Sequence, residues 1–507
     1  MESALQDIYS NFKDSLVQSG LFSPAQNGAG ANTWRISPEP FYLSEEEVRF
    51  FSDLGSRLLK FYEALNRMYL DSAKGRAPGW IAEYLDIGKP SDLVDYARMN
   101  RFKGQLPGIL RPDAIVTESG YAITELDSVP GGFGLLACLQ DLYRAPGRKI
   151  VGADEGGVVE LFRRMMSAGQ APGGDAAMTL RDRRNAVPAS ASAGGGIGSN
   201  GTLACPANGT LGSASAIVVS DESADYLSEM KYLQSVLRER GFPLFVAHPR
   251  DLLFREEGIY LRDGGGETRI DAIYRFLELF DLKNIPKAEL LMYGNKKGTV
   301  RVTPPFKHYL EEKLGLALLH HPALAALWEK ALGPETFAVL SHLIPKTWVL
   351  DNRELPPYGV IPGLTVGNKG ISDWRELYPL TQKEREFAIK TSGFSPRAWG
   401  SRGVTIGHDV SSEDWRRTLE ESLRSFDTSP CILQTFRKGR RVKVSYYRPQ
   451  TRQLVEMESR ARLTPYYFVV EGRARLGGIM ATLCPRDKKK IHGMADAIIV
   501  PCACKNV

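Results

Sequence analysis

Between residues 166 and 215 the chain nearly loses its large apolar side chains, and Ala, Gly, Ser, Pro and Asn take their place. Such a composition cannot bury enough apolar surface to repay the entropy lost on ordering, which is typical of a flexible insertion. The segment contains Gly196-Ile-Gly198-Ser-Asn-Gly201, a formal dinucleotide-binding pattern, but no apolar strand precedes it and no periodic helix follows it. The core must therefore be built by the two long parts on either side.

Both flanking parts belong to a chain of ordinary globular composition. Of its 507 residues, 43% are hydrophobic and 24% are charged, which excludes a mostly disordered protein. The net charge of +6 is small for this length and does not by itself indicate nucleic-acid binding. A membrane span needs about 20 consecutive apolar residues, and the longest candidate, 314–328, is interrupted by two histidines and a proline. The six cysteines are scattered, which indicates a reducing compartment. The early acidic residues of the N-terminus are not typical of a signal peptide. We therefore expect a cytoplasmic protein, and we expect it to bind neither membranes nor nucleic acid.

Local periodicity predicts helices and strands in both parts. A capping box at Ser44 to Glu47 indicates the start of an amphipathic helix. Residues 114–125 have the pattern of a hairpin, and a Gly-rich loop then leads into an apolar helix. Residues 216–247 alternate strand, helix and strand, which is the unit of a parallel sheet. The last third is rich in strands, so we expect an α+β protein with an α/β part.

Three further expectations concern less regular stretches. Residues 310–328 have the pattern of a helix. Residues 343–350 have the pattern of a strand that Pro345 interrupts. Cys502 and Cys504 would offer a soft metal only two ligands, which do not make a site, so we expect them to lie in a frayed tail.

The segment 387–404 has the residues needed to bind an anion. Lys390 ends a short apolar strand, and a loop rich in Gly and Ser leads past Arg402 to the next strand. Glycines allow backbone N–H groups to turn toward one point, and the cationic side chains add fixed charge, so this segment would suit the phosphates of a nucleotide. It is not a Walker A loop, because that pattern occurs nowhere in the chain. The alternative is a glycine-containing hairpin with a solvated lysine.

The elements around this segment resemble, in order, those of the ATP-grasp superfamily of carboxylate–amine ligases. The matching stretches are Leu310-Glu-Glu-Lys313-Leu, Ile344-Pro-Lys-Thr-Trp-Val-Leu350, Ala388-Ile-Lys390, Gly400-Ser-Arg-Gly403 and Cys431-Ile-Leu-Gln434-Thr-Phe436. The upstream half resembles the pre-ATP-grasp domain of glutathionylspermidine synthase-like enzymes, at 123–132, in the strand–helix–strand unit and at Asp271-Ala-Ile-Tyr-Arg275. The N-terminal hundred residues contribute little to the resemblance, and their pattern predicts a helical region at 1–110. The resemblance implies a pre-ATP-grasp parallel-sheet domain at 111–303. An ATP-grasp domain of antiparallel sheets and helices would then span 304–507.

The same resemblance implies which residues bind the nucleotide. Lys313, Lys390 and Lys443 would face ATP, the first two at its phosphates. The flap over the phosphates would consist of Gly400, Ser401, Arg402 and Gly403. The adenine pocket would be lined by Gln434, Thr435 and Phe436. As alternatives, Lys313 is a solvated helix residue and Phe436 is plain core.

One motif of the family is missing, namely the Glu-x-Asn pair that holds magnesium near the end of the domain. Glu456 and Glu458 alternate so as to share one strand face, and we expect them to bind Mg²⁺, although a solvated edge strand has the same pattern. Arg460 and Arg462 also share a strand face. Together with Lys390 they form the expected catalytic set, because paired guanidiniums suit an acyl phosphate or a developing oxyanion. The alternative for the two arginines is a basic solvent face.

The substrate-side residues implied by the resemblance lie in the first half of the chain. They are Glu125, Asp127, Ser128, Tyr274 and Arg275. The first three would suit an amine or a peptide-like acceptor, and the alternative is that Asp127 and Ser128 serve the turn and cap the following helix. Tyr274 and Arg275 would face the cleft between the domains, where the guanidinium would hold a substrate carboxylate.

The resemblance implies an ATP-dependent ligase that uses ATP and Mg²⁺. ATP would phosphorylate the carboxylate of a small molecule, and an amine would then attack the acyl phosphate to give an amide or peptide-like bond. Such catalysis consists mostly of positioning and charge neutralisation. The alternative, motivated by the missing Glu-x-Asn, is a degenerate ATP-grasp protein that binds a nucleotide as a scaffold or regulator without ligase activity.

Overall fold

A computed structural model describes residues 2–22, 33–168, 214–263, 266–356, 359–398, 402–488, 490–493 and 496–505. Its α-helices are α1 (Glu2–Gln18), α2 (Glu45–Ser72), α3 (Trp80–Asp86), α4 (Ser91–Ala97), α5 (Phe133–Leu142), α6 (Gly157–Ser167), α7 (Leu227–Glu239), α8 (Ala288–Lys297), α9 (Leu314–His320), α10 (Ala325–Leu332), α11 (Pro334–Leu343) and α12 (Ser412–Arg424). Its first ten strands are β1 (Phe41–Leu43), β2 (Ile109–Thr117), β3 (Gly120–Asp127), β4 (Lys149–Ile150), β5 (Ala214–Val219), β6 (Leu244–Ala247), β7 (Leu253–Phe254), β8 (Ile259–Asp263), β9 (Gly266–Phe276) and β10 (Arg301–Thr303). The remaining strands are β11 (Thr347–Val349), β12 (Thr365–Val366), β13 (Lys369–Gly370), β14 (Phe387–Thr391), β15 (Val404–Ile406), β16 (Cys431–Thr435), β17 (Arg441–Arg448), β18 (Gln453–Val470), β19 (Arg473–Pro485) and β20 (Ile498–Cys504).

The largest sheet joins both ends of the chain to its middle. Its strands run in the order β1-β20-β19-β18-β2-β3, with β17 beside β18 and β4 beside β20. Most neighbours are antiparallel, and β1 pairs with β20 in parallel. The sheet therefore draws strands from all three of the parts expected from the sequence.

The second sheet is mainly parallel. Its order is β6-β5-β9-β8-β7, with β10 beside β9, and the pairs β5–β6, β5–β9 and β9–β10 are parallel. Helix α7 connects β5 to β6, as the alternation of the sequence predicts. Every residue of β5 is buried, which explains the apolar run from Ala216 to Val219.

The third sheet is antiparallel and has the order β11-β16-β14-β15. Alternate residues of its strands pack against α12 on one face, where Ile389, Leu433, Trp415 and Leu419 share one apolar cluster. The opposite residues, which include Lys390 and Gln434, face the largest sheet across a cleft. Period-two alternation therefore places the polar side chains of β14 and β16 in that cleft.

Several predicted elements are confirmed. Ser44 Oγ accepts a hydrogen bond from the Glu47 N–H at 3.2 Å, and the Glu47 carboxylate accepts from the Ser44 N–H at 2.8 Å, so the capping box starts α2 as predicted. The hairpin at 114–125 is present and extends further, as β2 and β3. The mixed fold with parallel and antiparallel sheets is also confirmed.

The remaining predictions differ in their outcome. The helical region predicted at 310–328 is confirmed as α9 and the start of α10, which Pro322 separates. Of the interrupted strand predicted at 343–350, the part after Pro345 is β11, whereas Leu343 ends α11. Cys502 and Cys504 lie in β20, next to β19 and β1, and do not form a frayed tail. The sequence missed this strand because it is short and close to the terminus.

The structure describes only the two ends of the insertion predicted at 166–215. Met166 and Ser167 belong to α6, and Ala214 and Ser215 belong to β5. Residues 169–213 lie outside the described residues. In the part of the chain that the structure describes, no helix is long and apolar enough to cross a membrane.

Candidate functional site

The cleft between the antiparallel sheet and the largest sheet contains four of the charged residues that the sequence singles out. We call it the inter-sheet cleft and define it by Asp113, Glu125, Lys390, Gln434, Arg460 and Arg462, which line a cavity of about 110 Å³. Asp113 and Glu125 come from β2 and β3, the arginines from β18, and the other two residues from β14 and β16. Two sheets of different origin along the chain thus build one polar site.

Lys390 is the buried cation at the centre of this cleft. Its Nζ donates to the Thr124 backbone oxygen at 2.7 Å and to Gln434 Oε1 at 2.9 Å. Only 6% of the residue is exposed. The pKa of Lys390 is lowered to about 8, chiefly by burial and also by Lys313, while Glu125 opposes both effects. The site therefore holds an ammonium that lacks sufficient negative charge around it.

Gln434 connects this lysine to the neighbouring strand β11. Its Nε2 donates to Thr347 Oγ1 at 3.1 Å, so the amide oxygen is left for Lys390. The chain then continues along the rim of the cleft, which Thr435 and Phe436 line. Their backbone N–H groups donate to the carbonyl oxygens of Lys346 and Glu386, both at 2.9 Å.

Glu125 is the carboxylate on which two lysines converge. Lys313 Nζ lies 3.0 Å from Glu125 Oε1 and also donates to the Ala398 backbone oxygen at 2.6 Å. Burial alone would raise the pKa of Glu125, but Lys313, Lys390 and Arg111 outweigh it and lower the pKa to about 2. Glu125 is thus held ionised between the two ammonium groups.

Charges alternate along the adjoining strands of the largest sheet. Arg462 Nη1 lies 3.0 Å from Asp113 Oδ2, and Arg111 lies 3.4 Å from Asp113 and 3.1 Å from Asp127. Three buried atoms, the Nε atoms of Arg460 and Arg462 and Asp113 Oδ1, have no hydrogen-bond partner, although Arg111 Nε lies 3.4 Å from that oxygen as an ion pair. Buried polar groups normally have partners, so the two Nε donors are available to a ligand in the cleft.

A second, smaller cavity adjoins the inter-sheet cleft on the other side of the Glu125–Lys313 pair. We call it the acidic cavity and define it by Glu125, Asp127, Glu278, His308, Glu311 and Lys313, around a space of about 70 Å³. Burial raises the pKa of Glu278 to about 8 and that of Glu311 to about 7, although Arg275 opposes the shift in both. Burial also raises the pKa of Asp127. Carboxylates outnumber the cations available to them here.

The predicted flap lies only partly within the described residues. Gly400 and Ser401 lie outside them. The Gly403 carbonyl accepts a hydrogen bond from the Thr391 N–H at 3.1 Å, and a Cβ at Gly403 would come within 2.6 Å of Thr391 Oγ1. Arg402 Nη1 lies 3.2 Å from Glu222, which follows β5 of the parallel sheet. Neither residue is among those that line the inter-sheet cleft.

The predicted magnesium ligands lie away from the cleft. Glu456 is 3.0 Å from Lys443 Nζ and Glu458 is 2.7 Å from Arg486, both at the surface. They share one face of β18 with Arg460 and Arg462, but they lie nearer its start. Only the two arginines reach the cleft. Lys443, which the resemblance predicts to face the nucleotide, also lies outside the inter-sheet cleft.

The predicted substrate residues fall into two groups. Glu125, Asp127 and Ser128 line the acidic cavity. Asp127 Oδ1 also accepts from the Val129 N–H at 2.8 Å, so the residue serves the turn as well. Neither Asp127 nor Ser128 caps α5, because Glu229 of α7 accepts from the N–H groups of Gly132 and Leu135 instead.

Tyr274 and Arg275 do not face a cleft. Tyr274 is fully buried among aromatic rings that include Phe133 and Phe162, and its hydroxyl has no hydrogen-bond partner. Arg275 is fully buried too, and its guanidinium pairs with Glu311 and donates to backbone oxygens, including that of Pro304 at 3.2 Å. In this arrangement the Arg275 guanidinium is already fully engaged by the protein.

Sequence reasoning missed Arg111, Asp113, Glu278, His308 and Glu311, which line or support the two cavities. The sequence pattern did not indicate Asp113, because a regular hairpin turning at 118–119 would pair it with Thr124, and a β-bulge between Asp113 and Ala114 pairs it with Glu125 instead. Arg111 lies two residues before Asp113 on β2, and His308 and Glu311 lie just before Lys313. Their positions beside the cavities depend on partners that are distant in the chain.

A third cavity is larger than both of these but lies elsewhere. It has a volume of about 880 Å³ and is lined by α9, β11 and the segment 351–376, with Trp80, Trp348 and Trp374 in its wall. Thr347, which accepts a hydrogen bond from Gln434, also lines this third cavity. It contains none of the site residues predicted from the sequence. Size alone therefore does not identify the place where the charged groups converge.

Among the described residues, no group of three or more His, Cys, Asp or Glu side chains is arranged to hold a metal ion. Magnesium that also binds phosphates needs only one or two protein carboxylates. Asp113 and Glu125 fit that smaller requirement. They are cross-strand neighbours in the cleft, and Asp113 Oδ1 has no hydrogen-bond partner.

The fold resembles that of solved proteins, whereas the sequence matches no protein-family model and no curated protein. A glutathione synthetase-like effector from Globodera pallida, solved in its apo form, superposes with a TM-score of 0.54 over 100% of this chain and 98% of that chain, at 11% identity. A putative γ-glutamylcysteine synthetase from Methylobacillus flagellatus gives a TM-score of 0.36 over 82% of this chain and 83% of that chain, at 10% identity. The first likeness shows a shared fold and by itself says nothing of activity.

Proposed function

We propose that this protein is an ATP-dependent carboxylate–amine ligase that forms an amide or peptide-like bond through an acyl phosphate. The observation that carries the proposal is the convergence of Lys313 and Lys390 on Glu125, where the inter-sheet cleft meets the acidic cavity. Each half-reaction would then have its own space, with the transferred phosphate between them. The fold shared with a glutathione synthetase-like effector supports the reaction class by analogy only.

The inter-sheet cleft would bind ATP. Thr435 and Phe436 line its rim beside Gln434, where an adenine ring would find backbone groups and an apolar face. Lys390 and Lys313 would meet the phosphates, which would replace Glu125 as the partner of at least one of them. A phosphate next to Lys390 would add negative charge beside this buried ammonium, so binding would relieve the cost of burying it.

Magnesium bound together with ATP would be held by Asp113 and Glu125. It would neutralise negative charge on the phosphates. Arg460 and Arg462 have buried donors without partners in the same cleft. They would bind the acyl phosphate and the oxyanion that forms when the amine attacks, because guanidinium donors complement such oxygens. The acceptor amine would enter from the acidic cavity, whose surplus of carboxylates favours a cationic molecule.

The test is ATP turnover in the presence of Mg²⁺ and a panel of carboxylates (γ-glutamylcysteine, glutathione and L-glutamate), with hydroxylamine as a general trap. An acyl phosphate would be captured as a hydroxamate with release of one ADP for each product. We expect Lys313→Met to abolish the hydroxamate and Lys330→Met, an exposed lysine on α10, to retain it. Wild-type ADP release with no hydroxamate for any carboxylate would contradict the acyl-phosphate route.

A nucleotide-binding scaffold or regulator without ligase activity is the second candidate. It is favoured by the lack of a cluster of three or more metal-ligating side chains in the described parts of the chain. ATP binding without turnover of any member of the panel would support this candidate over the ligase.

A further inference from the structure

The acidic cavity contains a buried histidine that the mechanism above does not use. His308 forms part of the cavity wall and is 1% exposed. Its Nε2 lies 2.8 Å from Asp86 Oδ1, whereas its Nδ1 is buried without any hydrogen-bond partner. A polar atom this deeply buried normally has a partner, so an open Nδ1 at a cavity indicates a ligand.

The surroundings of His308 determine which nitrogen carries the proton. Asp86 accepts a hydrogen bond from the Tyr69 hydroxyl at 2.7 Å and pairs with Arg98, which keeps its carboxylate in the role of acceptor. Nε2 must then be the donor to Asp86, and Nδ1 is left with a free lone pair. An aspartate that orients an imidazole in this way is the arrangement expected of a general base.

We propose that His308 is the general base that removes a proton from the acceptor amine in the acidic cavity, with Asp86 as its positioning residue. The inference rests on the proposed ligase function. It also uses a feature that the ligase function does not need, namely the unpartnered Nδ1 of a histidine that lines the acidic cavity.

The chemical step requires such a group, because an amine reaches the enzyme at neutral pH as an ammonium ion, which has no lone pair. One N–H bond of the ammonium breaks and its proton passes to Nδ1. The freed electron pair attacks the acyl carbon and forms the C–N bond, while the C–O bond to phosphate breaks and its electron pair leaves on the phosphate. The second proton lost by the nitrogen passes to that phosphate.

Charged groups on every side bear on the protonation of His308. Burial lowers its pKa, which keeps the ring neutral and able to accept a proton, while Asp86 opposes this effect. The neighbouring Lys89 lowers the pKa and Glu312 raises it. Tyr69 and Tyr309 pack edge-on against the ring, with centroids 5.7 and 5.4 Å away. Across the cavity lie the carboxyl groups of Glu125, Asp127, Glu278 and Glu311 and the ammonium of Lys313.

The sharpest test compares two nucleophiles. Ammonium chloride needs a base before it can attack, whereas hydroxylamine is largely unprotonated at pH 7 and does not. With ATP, Mg²⁺ and glutathione or γ-glutamylcysteine as the carboxylate, we expect His308→Gln to lower kcat/KM for ammonium about 10²- to 10⁴-fold, which is the usual contribution of a general base. Its rate with hydroxylamine should stay at the wild-type level.

His320→Gln is the matched control, because His320 is a partly buried histidine whose Nδ1 and Nε2 lie 3.2 and 3.4 Å from backbone oxygens, away from the acidic cavity. It should leave the ratio of the two rates unchanged. The wild-type rate with ammonium should fall at acid pH as His308 becomes protonated, and this acid limb should be missing from His308→Gln.

A second measurement determines the tautomer in the wild type. Nitrogen NMR of wild-type protein labelled at histidine reports it directly, and the His308 signals are those missing from His308→Gln. We expect a proton on Nε2 and none on Nδ1.

The possible failures are distinguishable. Equal losses with both nucleophiles, no loss with either, or a proton on Nδ1 would overturn the role of His308 alone. A wild-type enzyme that transfers the acyl group to neither nucleophile would overturn the proposed function, and the role of His308 with it.

Discussion

Replacement of Lys390 by methionine should change the pH dependence of stability in a defined direction. The pKa of this lysine falls from 10.5 to about 8 in the folded protein, chiefly because the side chain is buried. Each pKa unit corresponds to about 1.4 kcal/mol, so the charged lysine costs the folded state about 3 kcal/mol at pH 7. Between pH 8 and 10.5 the unfolded chain binds the proton that the folded protein has lost. Stability therefore rises with pH through this window.

The wild type should thus gain about 2.5 kcal/mol in free energy of unfolding relative to Lys390→Met between pH 7 and pH 10. Urea titrations of both proteins at several pH values measure this gain, and their difference cancels the titration of groups common to both. Lys330→Met is the control, because Lys330 is exposed, and its difference from the wild type should not change with pH. A difference between wild type and Lys390→Met that is constant from pH 7 to 10 would refute the claim that Lys390 is buried at a cost.

Three further predictions concern the surroundings of this lysine. Lys89→Met should lower the free energy of unfolding by about 3–5 kcal/mol, because it strands the buried Glu312 carboxylate. Lys443→Met, which removes an exposed partner of Glu456, is the control and should leave the free energy of unfolding unchanged in the same urea titrations. Equal losses of stability in Lys89→Met and Lys443→Met would contradict this prediction. Thr347→Val should weaken ATP binding about fivefold, as measured by calorimetry. The variant removes the hydrogen bond that orients Gln434 toward Lys390, and such a bond contributes about 1 kcal/mol. Unchanged affinity would contradict this prediction. ATP binding at pH 8 should be accompanied by uptake of about half a proton, because a nearby phosphate raises the pKa of Lys390 above its value of about 8. The uptake is measured as a dependence of the binding enthalpy on the ionisation enthalpy of the buffer. No uptake, or equal uptake by Lys390→Met, would contradict this prediction.

The residues that could be located from the sequence are those whose position follows from local periodicity. Alternation along β14 and β16 places Lys390 and Gln434 on the side opposite the apolar cluster around Trp415, so both reach the inter-sheet cleft. The same rule correctly put Arg460 and Arg462 on one face of β18. It did not reveal how far along the strand the cleft extends, and Glu456 and Glu458 lie beyond it.

The remaining features depend on partners that are distant in the chain. Arg275 has the chemistry of a carboxylate-binding residue, but Glu311 already neutralises it inside the protein. His308 is one of seven histidines and acquires its significance only from Asp86, more than 200 residues away. Cys502 and Cys504 seemed to be part of a tail because nothing local shows that β19 and β1 flank them. Long-range strand pairing of this kind leaves no periodic signal in either segment.

Calorimetric titration of ATP, with and without Mg²⁺, into the wild type and Lys390→Ala tests the central claim most directly. We predict binding by the wild type that strengthens with Mg²⁺ and is lost in the variant, because the inter-sheet cleft holds the nucleotide through Lys390. Binding that is indifferent to Mg²⁺ would favour the scaffold over the ligase. No binding by the wild type, or equal binding by Lys390→Ala, would contradict a nucleotide site in this cleft.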